Sequence, residues 1–187
     1  MKSRWIAFVA LAAVGCGLDL WTKHVMFTAP ELQRGGVSWL VEGYAGYQLS
    51  LNEGALFGIG QGAQFWFALL SVLAAAAIPV WLFAFGAARD WWMTITLGGV
   101  MGGVLGNLYD RANLHRMVWG VDWPAPSERH GEPIYAVRDW VLLQLGDELR
   151  WPNFNIADAL LVVGAAVLFL RALRAPADTD GSSDPAA

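Results

Sequence analysis

The chain has 187 residues, of which 56% are hydrophobic and 15% charged, against roughly 45–50% and ~25% in an average soluble domain. Sixteen acidic and twelve basic residues give a net charge of −4, and the chain holds eleven Trp and one Cys. This balance excludes a charged disordered chain, offers no basic surface to nucleic-acid phosphates, and leaves neither a disulfide framework nor a Cys-based zinc site; so much Trp points to a membrane–water boundary.

A helix crossing ~30 Å of hydrocarbon needs about 20 mostly apolar residues. The first such span is 5–27, charge-free through Leu18 and then carrying Asp19 and Lys23. In the connection 28–61, residues alternate at Val37, Trp39 and Val41 and again at Tyr47, Leu49 and Leu51, with Gly43 and Gly46 between. That pattern predicts two short strands on the membrane surface. The second span is 64–85, with Pro79 inside it, tolerable where neighbours satisfy the freed carbonyl. The third, 91–110, is Gly-rich and stops at Asp110 and Arg111. Residues 112–153 mix Pro124, Pro126, Pro133 and Pro152 with charged and aromatic side chains, which predicts an irregular, partly interfacial segment. The fourth span is 154–172, with Asp158 one turn inside its start. The end, 176–187, has no apolar run and reads as a disordered tail.

The expected fold is an all-α membrane protein with four transmembrane helices and a small β-containing subdomain outside, one domain over 1–175. Lys2, Arg4, Arg89, Arg171 and Arg174 fall in very short segments, which puts both termini in the cytoplasm by the positive-inside rule.

Polar side chains in spans are expensive, so each is a functional hypothesis. In the N-inside arrangement they gather at the outer face: Asp19 and Lys23 end span one, Asn107, Asp110 and Arg111 end span three, and Asn155 and Asp158 open span four. Asn52 and Asp139 lie in the connections beside them. No His-Glu-x-x-His, phosphate loop or partnered Ser nucleophile is present, and His24, His115 and His130 lack ligand-like spacing. Carboxylates remain as the groups for acid–base work. Two of them in a poorly hydrated site cannot both ionise easily, so one holds a proton while the other accepts one from water. Asp139, within Val137-Arg-Asp-Trp-Val141, and Asp158 suit that role, although spacing alone leaves the pairing open.

Blander readings stand beside this one. Asp19 and Lys23, four apart, can be a simple helical ion pair; Asp110 and Arg111 can tie loops down; Asn52 and Asn155 can cap helices. Trp91, Trp92, Trp119, Trp123, Trp140 and Trp151 read mainly as interface anchors. Lys2, Arg4, an apolar stretch and Ala13-Val-Gly-Cys16 also resemble a lipoprotein's own signal peptide, although Ala13 stands where Leu is preferred and cleavage would delete most of span one. A non-enzymatic membrane protein with an Asp158–Arg111 ion pair would place its charges near mid-membrane, whereas these lie at one face.

Asp19-Leu-Trp-Thr-Lys23, Asn52-Glu-Gly-Ala-Leu-Phe-Gly58, Gly102-Gly-Val-Leu-Gly-Asn-Leu-Tyr-Asp-Arg111, Val137-Arg-Asp-Trp-Val141 and Phe154-Asn-Ile-Ala-Asp158 resemble the five ordered motifs of bacterial lipoprotein signal peptidase (signal peptidase II), across about residues 5–172. The resemblance implies a four-span aspartic endopeptidase of the bacterial inner membrane, with its active site towards the outer face. Such an enzyme cuts prolipoproteins just before a diacylglyceryl-modified Cys, without a covalent intermediate. It implies Asp139 and Asp158 as the catalytic dyad. Asn52, Gly54, Asn107, Arg111, Asn155, Ala157, Asp19 and Lys23 follow as substrate-binding or supporting residues. Gly102, Gly103 and Gly106 would let the third helix approach its neighbours. Prolipoprotein and membrane lipids are the implied partners, with no nucleic acid, no metal, no cofactor and a monomeric enzyme. The chain departs from the family in about 20 residues that look inserted at 113–134, in Leu56 where a second Ala is usual, and in Trp21, Arg138 and Trp140.

Overall fold

The computed structural model describes residues 1–33, 35–54, 60, 62–146 and 149–174; Leu56 and the expected tail at 176–187 lie outside them. The first helix, α1 (Lys2–Thr28), is followed by a single turn, α2 (Pro30–Gln33). Ala29 between them is extended (φ −72°, ψ 114°), because the Pro30 ring crowds the preceding residue out of the helical region. Strands β1 (Ser38–Val41) and β2 (Ala45–Asn52) follow, where alternation placed them. Helix α3 (Gln64–Pro79) ends on its proline, and Val80–Ala84 continues as a wider π-helical turn. Pro79 supplies no N–H, and a local widening of the ladder absorbs that loss.

Gly86 (φ +80°) then turns the chain, and Asp90 caps α4 (Trp91–Arg111) by accepting from the Trp92 N–H at 2.8 Å. Strands β3 (Val137–Leu145) and β4 (Leu149–Arg150) precede the last helix, α5 (Ile156–Arg174). Helix α4 is central, packed against α1, α3 and α5. Its glycines make this possible. A Cβ on Gly102 would lie 3.0 Å from Gly15 Cα, and one on Gly103 would lie 2.6 Å from the Ala157 carbonyl oxygen. Arg4 reaches the Ala88 carbonyl and Arg171 pairs with Asp90. The start of α1, the start of α4 and the end of α5 therefore share one end of the bundle, and the polar residues of interest lie towards the other.

Three helical segments, Lys2–Thr28, Gln64–Ala84 and Ile156–Arg174, are long and apolar enough to cross a membrane. Helix α4 is also long enough, at 21 residues, but its glycines, Asn107, Asp110 and Arg111 lower its hydropathy. Large apolar side chains such as Phe65, Leu70, Val163 and Phe169 are exposed, the surface expected of helices solvated by lipid.

The expectation of an irregular 112–153 is corrected by β3. The sheet is antiparallel in the order β1-β2-β3-β4, with Ser50 opposite Asp139 and Asn52 opposite Val137. Val137, Arg138, Asp139 and Trp140 are all buried. With both faces covered, β3 loses the polar–apolar alternation that advertises a half-exposed strand. Trp119 and Trp140 are buried as well, packed within the sheet subdomain rather than anchoring it at the interface, whereas Trp91, Trp92 and Trp151 are exposed.

Candidate functional site

The site forms where α5 leaves the sheet. Phe154 pairs with β3 as if it were one more strand residue: Val141 N–H donates to the Phe154 carbonyl at 2.9 Å, and Phe154 N–H returns to the Val141 carbonyl at 3.2 Å. That pairing sets the next residue, Asn155, beside Asp139. Asn155 Nδ2 donates to Asp139 Oδ1 at 2.6 Å. Its Oδ1 accepts the Asp158 N–H at 2.9 Å, while Asp158 Oδ2 accepts the Asn155 N–H at 3.3 Å. These last two bonds form a reciprocal capping box that opens α5. The expected cap role of Asn155 is present, and the same amide also joins the two aspartates.

Asn107 of α4 completes the link. Its Nδ2 donates to Asp158 Oδ1 at 2.8 Å, and its Oδ1 accepts from Asn155 Nδ2 at 3.2 Å and from Lys23 Nζ at 3.0 Å. Asp139 is buried and Asp158 only half-buried. Burial pushes the Asp139 carboxyl well above the usual carboxylate range, and the nearby charge of Asp158 adds to the shift. Lys23 and hydrogen bonds from Asn155 and Asn52 oppose it without cancelling it.

Behind the aspartates lies a second charged layer. Lys23 Nζ is 2.7 Å from Asp19 Oδ2 and 3.0 Å from Asp110 Oδ2. Arg138 grips Asp110 through its guanidinium at 2.8 and 3.0 Å and its backbone N–H at 3.0 Å. All four groups are buried, and two positive and two negative charges make the set neutral. Asp19 Oδ1 also accepts the Ala157 N–H at 2.9 Å, tying α1 to the first turn of α5. Asp19 and Lys23 are therefore a buried pair rather than a surface i,i+4 pair, and Asp110 ties α4 to α1 and β3 rather than holding a loop.

Arg111 turns to the other side. It donates to the Gly54 carbonyl at 3.3 Å, lies over the Phe67 ring at 5.5 Å, and stands within electrostatic reach of Asp158 and Asp139. Asn52 Oδ1 accepts the Gly54 N–H at 3.0 Å at the end of β2, and its side chain also bonds Asp139. Asn52, Gly54, Asn107, Arg111, Asn155, Ala157, Asp19 and Lys23 thus all gather around Asp139 and Asp158. Sequence reasoning missed Arg138 as a partner of Asp110, since the pair is 28 residues apart. It also missed the pairing of Glu53 with Arg129. A cavity of about 810 Å³ between the end of α1, β2 and residues 115–124 is lined by His24, His115, Trp123 and Arg138 but by neither aspartate. No cluster of three or more His, Cys, Asp or Glu able to hold a metal occurs among the described residues.

Comparison with known proteins places this arrangement. The profile of a family described as signal peptidase (SPase) II matches residues 11–174. A lipoprotein signal peptidase of Rhodopirellula baltica is 43% identical over 185 residues, covering 97% of this chain and 78% of that protein. One of Pseudomonas syringae pv. tomato is 34% identical, covering 88% and 84%. A solved bacterial membrane enzyme shares the fold with a TM-score of 0.69 at 21% identity, covering 96% of this chain and 93% of that one.

Proposed function

This chain belongs to the signal peptidase II family and is a membrane protease; from that premise we propose that it removes the signal peptide of diacylglyceryl-modified prolipoproteins by cutting just before the lipidated Cys, with Asp139 and Asp158 as the catalytic pair. The observation that carries the reading is the single amide of Asn155, which bonds Asp139 and caps Asp158 at once. Asp139, buried and pushed up, holds a proton. Asp158, half-exposed and accepting from Asn107 and the Asn155 N–H, is the base.

In the reaction Asp158 takes a proton from water as its oxygen attacks the scissile carbonyl carbon, and Asp139 gives its proton to the carbonyl oxygen. The tetrahedral adduct then collapses: one of its hydroxyl protons returns to Asp139 as the C=O bond re-forms, the C–N bond breaks, and the proton held on Asp158 passes to the leaving nitrogen. No covalent enzyme intermediate forms. Asn52, Gly54 and Arg111 hold the extended substrate backbone, with Arg111 supplying a fork of donors. Asn107, Asn155, Ala157, Asp19 and Lys23 hold the aspartates in place.

Residues 1–175 form one domain. Helix α4 also crosses the membrane, which makes four crossings with α1, α3 and α5; both termini are cytoplasmic, the site faces the outer leaflet, and the enzyme works as a monomer in the bacterial inner membrane. In a strain lacking its own lipoprotein signal peptidase, the parent chain restores the mature size of prolipoprotein, while Asp139→Asn and Asp158→Asn each lower turnover by at least ~10²-fold. Processing that persists in both variants sinks the dyad assignment.

A further inference from the structure

The inserted stretch 113–134 does not stand apart from the site. Trp119 and Ile134, with Ala136, form a buried apolar cluster, and Leu51 of β2 packs against it. Two residues beyond Leu51, Glu53 is held by Arg129 through both terminal guanidinium nitrogens, Nη2 to Oε1 at 2.7 Å and Nη1 to Oε2 at 3.3 Å. Arg129 is itself fixed, its guanidinium 4.2 Å from the centre of the buried Trp119 ring and its Nε 3.5 Å from Glu132. Gln64 Nε2 adds a bond to Glu53 Oε1 at 3.2 Å.

Neighbouring side chains on extended backbone point in opposite directions. Leu51 and Glu53 face the insertion, and Asn52 between them faces Asp139. Gly54, next along, gives its carbonyl to Arg111. The insertion therefore grips this turn on both sides of the residue that reaches the aspartates, by apolar packing before it and by a forked ion pair after it.

We propose that Arg129 is a positioning residue: by clamping Glu53 it fixes the Asn52–Gly54 turn against the Asp139–Asp158 pair, which makes the insertion part of the working site. This rests on the peptidase reading above. Arg129 touches neither aspartate, so its effect passes through Glu53 to the aim of Asn52 and the Gly54 carbonyl. Small displacements of groups that align a scissile bond act mainly on turnover.

The test uses the full chain in detergent micelles with a fluorogenic diacylglyceryl-modified lipopeptide. Arg129→Ala and Glu53→Gln each lower kcat about five- to tenfold with KM little changed. The double variant loses no more than either single change, because one link is broken in all three. Arg129→Lys keeps more activity than Arg129→Ala. The charge exchange Glu53→Arg with Arg129→Glu recovers activity over Glu53→Arg alone, which ties the loss to the ion pair, while the fall in kcat at unchanged KM separates positioning from a loss of folded protein. A parent that cleaves while Arg129→Ala and Glu53→Gln retain parental kcat overturns the positioning role and leaves the peptidase reading standing. A parent that does not cleave the lipopeptide overturns both. If Arg129→Ala proves too unstable to assay, additive losses in Glu53→Gln combined with Arg129→Lys overturn the clamp.

Discussion

Asp139 is under two pressures of the same sign, burial and the charge of Asp158, and both favour the neutral acid. A carboxyl raised in the folded protein keeps a proton that the unfolded chain releases above about pH 3.9. Its contribution to stability therefore falls as pH rises from that value through the raised folded value. If Asp139 is the proton donor of the proposed pair, the sign for activity is the reverse of an ordinary carboxylate's: kcat holds while Asp139 keeps its proton and declines as it ionises, which gives the profile an alkaline limb that Asp139→Asn abolishes together with activity. Asp158→Asn removes the neighbouring charge and moves Asp139 back towards the ordinary range, readable in the infrared carbonyl band of the protonated carboxyl across a pH titration. A band whose midpoint does not move would show that burial alone sets the shift. The charged layer behind responds differently. Asp110→Asn leaves Arg138 without its carboxylate and costs about 3 kcal/mol or more, while the double change Asp110→Leu with Arg138→Met costs less, since it removes both charges and leaves Asp19 to balance Lys23. Thermal unfolding in detergent compares the two.

Among the elements, α4 is the one whose composition most constrains its neighbours. Gly103→Ala would push a methyl group against the Ala157 carbonyl, one residue before Asp158. Overpacking of this kind costs roughly 1–3 kcal/mol, and here it also shifts the turn that aims Asp158. The variant should lose both melting temperature and kcat, whereas Gly99→Ala, where a Cβ would meet only Leu160 at 3.9 Å, should lose little of either. The helices were legible in the sequence as long, charge-poor apolar runs, and the β1–β2 hairpin by its period-two alternation. Strand β3 was not, because a strand buried on both faces reads as an apolar run interrupted by Arg138 and Asp139. Those two interruptions make sense only once Asp110 and Asn155 are seen opposite them. Asp139 and Asp158 were legible as candidates from their chemistry, but the capping box that joins them is a matter of side-chain direction, which spacing does not specify.

Across the whole molecule, the polar groups are sorted to one end and the Arg4, Asp90 and Arg171 contacts to the other. If both termini are cytoplasmic, reporter fusions at residue 174 are active only in forms that work inside the cell, and fusions placed after Thr28 only in forms that work outside. The opposite pattern would invert the orientation. The convergence of residues from α1, β2, α4, β3 and α5 on one site could be read from five motifs in order, but the engagement of the insertion with Glu53 could not, because Arg129 and Glu53 are 76 residues apart and neither stands out in its own surroundings.

The neutral buried set of Asp19, Lys23, Asp110 and Arg138 also has a history in time. Lys23 meets Asn107 84 residues further along, and at ~5–20 residues per second of synthesis that interval is on the order of ten seconds. During it α1 must enter the bilayer with none of its later partners yet made. The one-turn pairing of Lys23 with Asp19 lets these two charges, the pair nearest the later site, answer each other within the nascent helix until α4 and β3 arrive. A contact that lies behind the two aspartates in the finished enzyme is thus, being one helical turn in span, already available to the helix during biogenesis.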